Sequence, residues 1–409
     1  MNPRRCRIGL NGLNFFTGAV QTAFGPFFSV YLTERGWTQE DIGFALSVGT
    51  ASALALQLPA GVMVDTIHFK RFSTAIALLL LGMSALMLVA QPTPGPVLTA
   101  QVLHSFASCL LAPAIAALTL ILCGHDAFSE QLGINARYAS LGSAAAAALL
   151  GAVASYISVQ AVFIVTAALV VPALGTLLLF RSGDRLEIED HPAILHPRER
   201  KQRDLRPWDI YRDPTFHIFA ACVVLFHFAN AAMLPLALNE LTKRVGQAGF
   251  VVSAAIIVPQ IVVMACSPWV GRLAQAIGRR PVLLIGFAAL PLRGLLFATT
   301  PDAIPLVMMQ ALDGVSAAVF GVMMPLIAAD VTRDSGYLNL AIGSLGLAAG
   351  LGATASTTVA GFIADLLGAP AAFIGLAVIG CAAVALLWRM MPETRPSTPL
   401  TGRRAVAAA

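Results

Sequence analysis

Long uninterrupted apolar runs constrain this chain more than any single motif in it. Read in windows of about 19 residues, the 409 residues give twelve candidate spans: 8–32, 42–64, 72–90, 97–123, 134–157, 159–180, 215–240, 248–270, 282–300, 303–328, 338–364 and 370–390. Each can cross ~30 Å of hydrocarbon at a rise of ~1.5 Å per residue. In lipid every backbone amide must find its partner within the protein, which leaves helices or a closed barrel. Barrel strands alternate over about ten residues, whereas these runs are continuous and longer, so an all-α membrane protein is expected. Charged residues make up 11% of the chain, against about 25% in a soluble domain. A solvated surface of ordinary extent is therefore excluded.

The chain also repeats itself. Pro26, Leu32-Thr33 and Arg35 recur as Pro235, Leu241-Thr242 and Arg244 at an offset of 209. Gly61 with Lys70-Arg71 recurs as Gly271 with Arg279-Arg280 at about 210, and Asn135 with Ser140-Leu141-Gly142 recurs as Asn339 with Ser344-Leu345-Gly346 at 204. Three patterns in one order imply a duplicated unit, and in a membrane protein two such halves place a site between them. The expected organisation is a six-helix bundle over 1–180, a central hydrophilic segment over 181–213, a second bundle over 214–392 and a tail over 393–409. The central segment carries eight basic and eight acidic residues with Pro192, Pro197 and Pro207. It suits a linker that lets the halves rock, with a docking site as the alternative. Ala144 to Ala148 and Gly343, Gly346, Gly350 and Gly352 mark spans 5 and 11 as close-packing seams, because small residues let helices approach in lipid.

Lys and Arg in the loops set the expected orientation. With the N-terminus in the cytoplasm, 22 of 26 basic residues fall inside, Arg35, Lys243 and Arg244 fall outside, and Arg293 is buried in a span. Both termini are thus expected in the cytoplasm of a multi-pass inner-membrane protein. The net charge of +5 follows from that topology and implies no nucleic-acid partner. The six Cys are scattered without a C-x-x-C pair, so neither a disulfide framework nor a metal site is indicated. The first apolar run is too long for a signal peptide and reads as an uncleaved first helix.

The segment Gly61-Val-Met-Val-Asp65-Thr-Ile-His68-Phe-Lys70-Arg71 resembles the G-x-L-A-D-x-x-G-R-K/R signature of the major facilitator superfamily. Gly271-Arg-Leu-Ala-Gln275-Ala-Ile-Gly278-Arg279-Arg280 matches its repeat between spans 8 and 9. The resemblance covers nearly the whole chain and implies twelve helices in two pseudo-symmetric six-helix bundles. It also implies a cytoplasmic latch in which Asp65 is made and broken from its partners, with Lys70 and Arg71 as nearby charges. The second copy has Gln275 where the acid stands, so a latch there is not implied. Spans 4 and 5 lack the Arg and the Gly-Pro signatures of the family's proton-coupled drug antiporters.

Ionisable groups inside spans are costly, and so are candidates for function. His104 and Asp313 lie 209 apart, in spans 4 and 10, which the resemblance places around a central cavity. An imidazole and a carboxylate there suit substrate binding or a proton relay, and a structural hydrogen bond or ion pair is the alternative for each. His227 and Asn230 are three apart on one face of span 7. Gln21 is the repeat partner of Asn230, and Asn14 lies seven residues before it; these amides suit either substrate binding or packing. Arg293 has three readings: snorkelling outward, pairing with Asp302, or pairing with Asp313. The last favours an anionic or zwitterionic substrate. Arg137 and Asp330 fall near an inner gate.

The chain contains no G-x-S-x-G, H-E-x-x-H or phosphate-cradling Gly-Lys-Ser pattern. Catalysis and ATP-driven pumping are therefore not expected, and no cofactor is implied. The expected function is secondary active transport of a small organic solute by alternating access, proton-coupled and directed outward, by a monomer. Proton-coupled uptake of an organic acid or sugar is the runner-up, and a non-transporting sensor of the same fold is a third reading.

Overall fold

The computed structural model describes residues 3–24, 26–67, 70–180, 207–245, 249–300, 302–333 and 335–395. Most of the central segment, His68 and the end of the tail lie outside the described residues. The N-terminal half holds α1 (Pro3–Gln21), α2 (Pro26–Glu34), α3 (Gln39–Thr66), α4 (Lys70–Ala90), α5 (Pro94–Tyr156) and α6 (Val159–Leu177). The C-terminal half holds α7 (Pro214–Asn230), α8 (Met233–Val245), α9 (Gly249–Ile277), α10 (Arg279–Thr299), α11 (Ala303–Val331), α12 (Leu338–Leu367) and α13 (Ala369–Met390). Among the described residues, eleven helical stretches are long and apolar enough to cross a membrane.

The expected first span is divided between α1 and α2 by a 3-10 turn at Thr22–Phe24, just ahead of a proline that cannot donate to the preceding helix. Spans 4 and 5 differ in their junction from the sequence reading. They are two helical arms of α5, Pro94–His125 and Ala127–Tyr156, which meet at the non-helical Gly124 (φ 70, ψ 170) with no loop between them. Glycine takes this left-handed conformation without steric cost, so the chain reverses without a loop. Residues 127–133, assigned to a loop from hydropathy alone, are helical.

Lys70, Arg71, Arg279 and Arg280 gather at one end of the bundle, called the basic end below. Lys70 Nζ donates to the carbonyls of Val64, Asp65 and Ile67, closing the exposed C-terminus of α3. Arg279 does the same for α9 through Ala274 O at 3.1 Å. Arg71 donates to Phe180 O at 2.6 Å, and Arg280 to Trp388 O. The two basic pairs thus perform the same task in each half: one ties off the preceding helix, the other anchors the half's last helix. Neither Lys70 nor Arg71 hydrogen-bonds the Asp65 carboxylate, but Lys70 lies close enough to act on it as a neighbouring charge while it caps α3.

The halves meet at the basic end through two matching seams, α3 with α12 and α5 with α9. A methyl group on Gly61 would sit 3.0 Å from the carbonyl carbon of Asn339 and 3.1 Å from Leu340 Cα. One on Gly271 would sit 3.1 Å from the carbonyl carbon of Ser129 and 3.2 Å from Glu130 Cα. Likewise Gly343 packs on the Gln57 carbonyl and Gly133 on the Ser267 carbonyl. All four correspondences have an offset of 210. The partner of Asn339 in the repeat is therefore Ser129, and the Asn135 echo at 204 is a local coincidence of sequence. Asn135 instead bonds within α5, to Thr119 Oγ1 at 2.8 Å.

Candidate functional site

Asp65 ends α3 at the basic end and crosses to the other half. Its carboxylate accepts from Leu340 N at 2.8 Å, Asn339 Nδ2 at 2.6 Å and Asn339 N at 3.2 Å. The acid thus caps the N-terminus of α12 with a negative charge, where unpaired N–H groups and the helix dipole favour one. The second seam is joined differently. Ser129 Oγ donates to Gly271 O at 2.7 Å, Arg137 Nε donates to Met264 O at 2.9 Å, and Arg272 pairs with Glu130 at 3.4 Å. Gln275 replaces the acid of the first copy; here the acid, Glu130, comes from the opposite helix.

Asp330, expected at the gate, stays within its own half. It pairs with Arg279 at 2.9 Å and accepts from Thr394 Oγ1 at 3.2 Å. Glu393, just past α13, accepts from Arg279 N at 2.8 Å and Arg280 N at 3.1 Å, capping α10 where its Gly278 N-cap carries no side chain. The sequence reading singled out neither Ser129, Glu130 nor Glu393. An acid at a helix start was the only available sign, and for Glu393 that helix is more than a hundred residues away.

Deeper in the C-terminal half, Arg293 of α10 pairs with Asp313 of α11. Of the three readings, this is the one observed; Asp302 stands at the start of α11. Arg293 is 1% exposed and Asp313 21%, so the pair presents its carboxylate side. The guanidinium also lies over the Phe297 ring at 5.5 Å, and its Nε has no partner. One turn from Asp313, Gln310 is fully buried with both amide atoms unpaired. It is a polar residue of this region that the sequence reading left out of the site.

His104 and Asp313 each have a separate environment. The His104 ring stacks on Phe24 at 4.0 Å and 17°, so the break after α1 supplies its aromatic neighbour. His227 bonds its own helix through Nδ1 to Val223 O at 3.1 Å and meets the Phe320 ring edge-on at 4.7 Å. Asn230 Oδ1 is buried without a partner. Asn14 spends its amide on Leu10 O at 2.8 Å, and Gln21 is exposed at the end of α1. Among the described residues, no three His, Cys, Asp or Glu side chains gather as a metal site.

The family model of the Major Facilitator Superfamily matches residues 10–237 and again 216–408. The chain belongs to the major facilitator superfamily. Among its relatives is an uncharacterised MFS-type transporter of Mycobacterium tuberculosis, 35% identical over 96% of this chain and 94% of that protein. Among solved structures it is similar to FucP in the outward conformation (TM-score 0.69, 15% identity, 93% of this chain and 97% of that one). The nucleoside transporter NupG (0.66, 16%, 95% and 100%) and the human organic anion transporter TETRAN (0.70, 16%, 95% and 100%) share the fold. The two halves, the duplicated basic loops and the paired seams are those of an MFS transporter, a multi-pass secondary transporter of the membrane.

Proposed function

We propose that this MFS transporter exports a small zwitterionic organic solute in exchange for protons, by alternating access, from an inner membrane with its basic end in the cytoplasm. The observation that carries this reading is the Arg293–Asp313 pair, a nearly inaccessible cation whose carboxylate partner is partly open. A charge pair in a span is costly, and such groups mark substrate and ion paths. A zwitterion can replace both partners at once: its carboxylate takes Arg293 and its ammonium takes Asp313. A proton arriving at Asp313 removes the ammonium's partner and releases the solute. Proton and solute then compete for one carboxylate, which is the condition for exchange. The seams closed at the basic end support an outward-open state in this structure.

The same pair supports a second reading for an anionic solute. Protonation of Asp313 frees Arg293 to hold an anion, so proton and solute bind together, and uptake follows. Proteoliposomes under an imposed pH gradient separate the two, with zwitterionic amino acids and organic acids supplied as counterflow substrates. Exchange predicts solute movement against the proton flow, and co-transport predicts movement with it. Asp313→Asn is expected to abolish gradient-driven flux in either case; undiminished flux removes Asp313 as the coupling group.

A further inference from the structure

Three rings from two helices meet below the charge pair, on the side of the basic end. Phe320 of α11 stacks on Phe226 of α7 at 4.7 Å and 16°, and His227 meets Phe320 at 4.7 Å and 75°. Phe226 is buried and leans on Phe287 at 4.8 Å, which fixes the group from behind. His227 and Phe320 each keep part of their surface open. The rings border an apolar cluster shared by the halves, in which Ala116 and Leu120 of α5 join Val223 of α7 and Val322 of α11. The aromatic group therefore stands where the two halves face one another.

Asp313 and Phe320 are seven residues apart, so they share a face of α11, separated by ~10.5 Å at a rise of ~1.5 Å per residue. The neighbouring α7 runs the opposite way. One turn beyond His227, away from the basic end, Asn230 stands between those two levels, and its Oδ1 is buried without a partner. A buried acceptor left unpaired is costly, and a donor carried by the solute would satisfy it. From this alignment we infer that the solute held by Arg293 and Asp313 is an aromatic amino acid. Its carboxylate lies on Arg293, its ammonium is shared by Asp313 and Asn230 Oδ1, and its ring rests against Phe320 and His227. An ammonium hydrogen bond of ~2.8 Å, the two-carbon arm and a ring contact of ~5 Å add up to roughly the separation available. An aliphatic side chain fills the same space without the attraction that stacked and edge-on rings provide. The assignment rests on the zwitterion reading of the Arg293–Asp313 pair and adds which zwitterion.

The test is counterflow by the purified full chain in proteoliposomes, with two labelled solutes that carry the same charges, L-phenylalanine and L-cyclohexylalanine. The aromatic solute is expected to show a KM about fivefold lower than the saturated one at similar kcat. Phe320→Leu should bring the two KM values together, and Phe320→Tyr should keep them apart. Asn230→Ala, which removes an acceptor for the ammonium, should raise both KM values by a like factor. Movement of both solutes with equal KM overturns the aromatic assignment while leaving the zwitterion reading in place, as does a difference that survives Phe320→Leu. Movement of neither overturns the zwitterion reading and the aromatic assignment together. The comparison of the two solutes in the native chain decides where a Phe320 variant fails to fold.

Discussion

Replacing Asp65 by Asn tests whether the α3–α12 seam is a latch. The native carboxylate accepts two backbone N–H bonds and one amide bond from the start of α12, at 2.6 to 3.2 Å. Asparagine keeps the size but leaves a single acceptor oxygen, turns an NH2 towards backbone donors and removes the charge from the helix N-terminus. Charge-assisted bonds contribute about 1.5–3 kcal/mol each, and a capping side chain about 1 kcal/mol. Partial replacement by the remaining oxygen puts the net loss near ~2 kcal/mol, or roughly a 30-fold shift towards the state open at the basic end. The assay is pulsed EPR between spin labels at Thr66→Cys and Ile277→Cys, exposed positions near the ends of α3 and α9, in a background with the native cysteines replaced. Asp65→Asn should move population from a short to a long distance. An unchanged distribution refutes the reasoning, because the bonds would then belong equally to both states.

Three further outcomes follow from the same geometry. Gly61→Ala and Gly271→Ala each place a methyl group against a facing helix backbone, so each should destabilise the closed basic end by ~1–3 kcal/mol; the same EPR pair reads this, and equal effects at both seams are expected. Glu393→Ala removes the cap from two N–H groups of α10, costing ~1–2 kcal/mol, and should accelerate amide hydrogen exchange at residues 279–280 while sparing α3. Arg293→Leu leaves Asp313 unpaired, and should lower thermal stability in detergent more than the double change Arg293→Leu with Asp313→Leu does. Removing one partner of a buried pair costs ~3–5 kcal/mol, discounted here for the partial exposure of Asp313; a double variant no more stable than the single one contradicts this account.

Hydropathy, loop charge and the repeated basic loops made most of the architecture legible before any coordinates, because they depend on composition within some twenty residues and on lipid as solvent. Those local signals placed the spans, the duplication and the motif that carries Asp65. They failed at Gly124, where one residue reverses the chain inside a helical stretch and hides the start of an arm that forms a seam. They failed again at Asn135, where a chance resemblance at an offset of 204 competed with the true register of 210. That register becomes visible only when Gly61 and Gly271 are seen against their facing backbones.

By itself the sequence determined a twelve-span duplicated membrane protein, since burying backbone amides in lipid leaves few alternatives to helices of that length. It also nominated Arg293 and Asp313, since charge in such a span is costly wherever it lies. Only the tertiary structure decided their union, the capture of α12 by Asp65 and the capping of α10 by Glu393. Each joins groups separated by tens to hundreds of residues, and the distance between such groups is fixed by how helices pack.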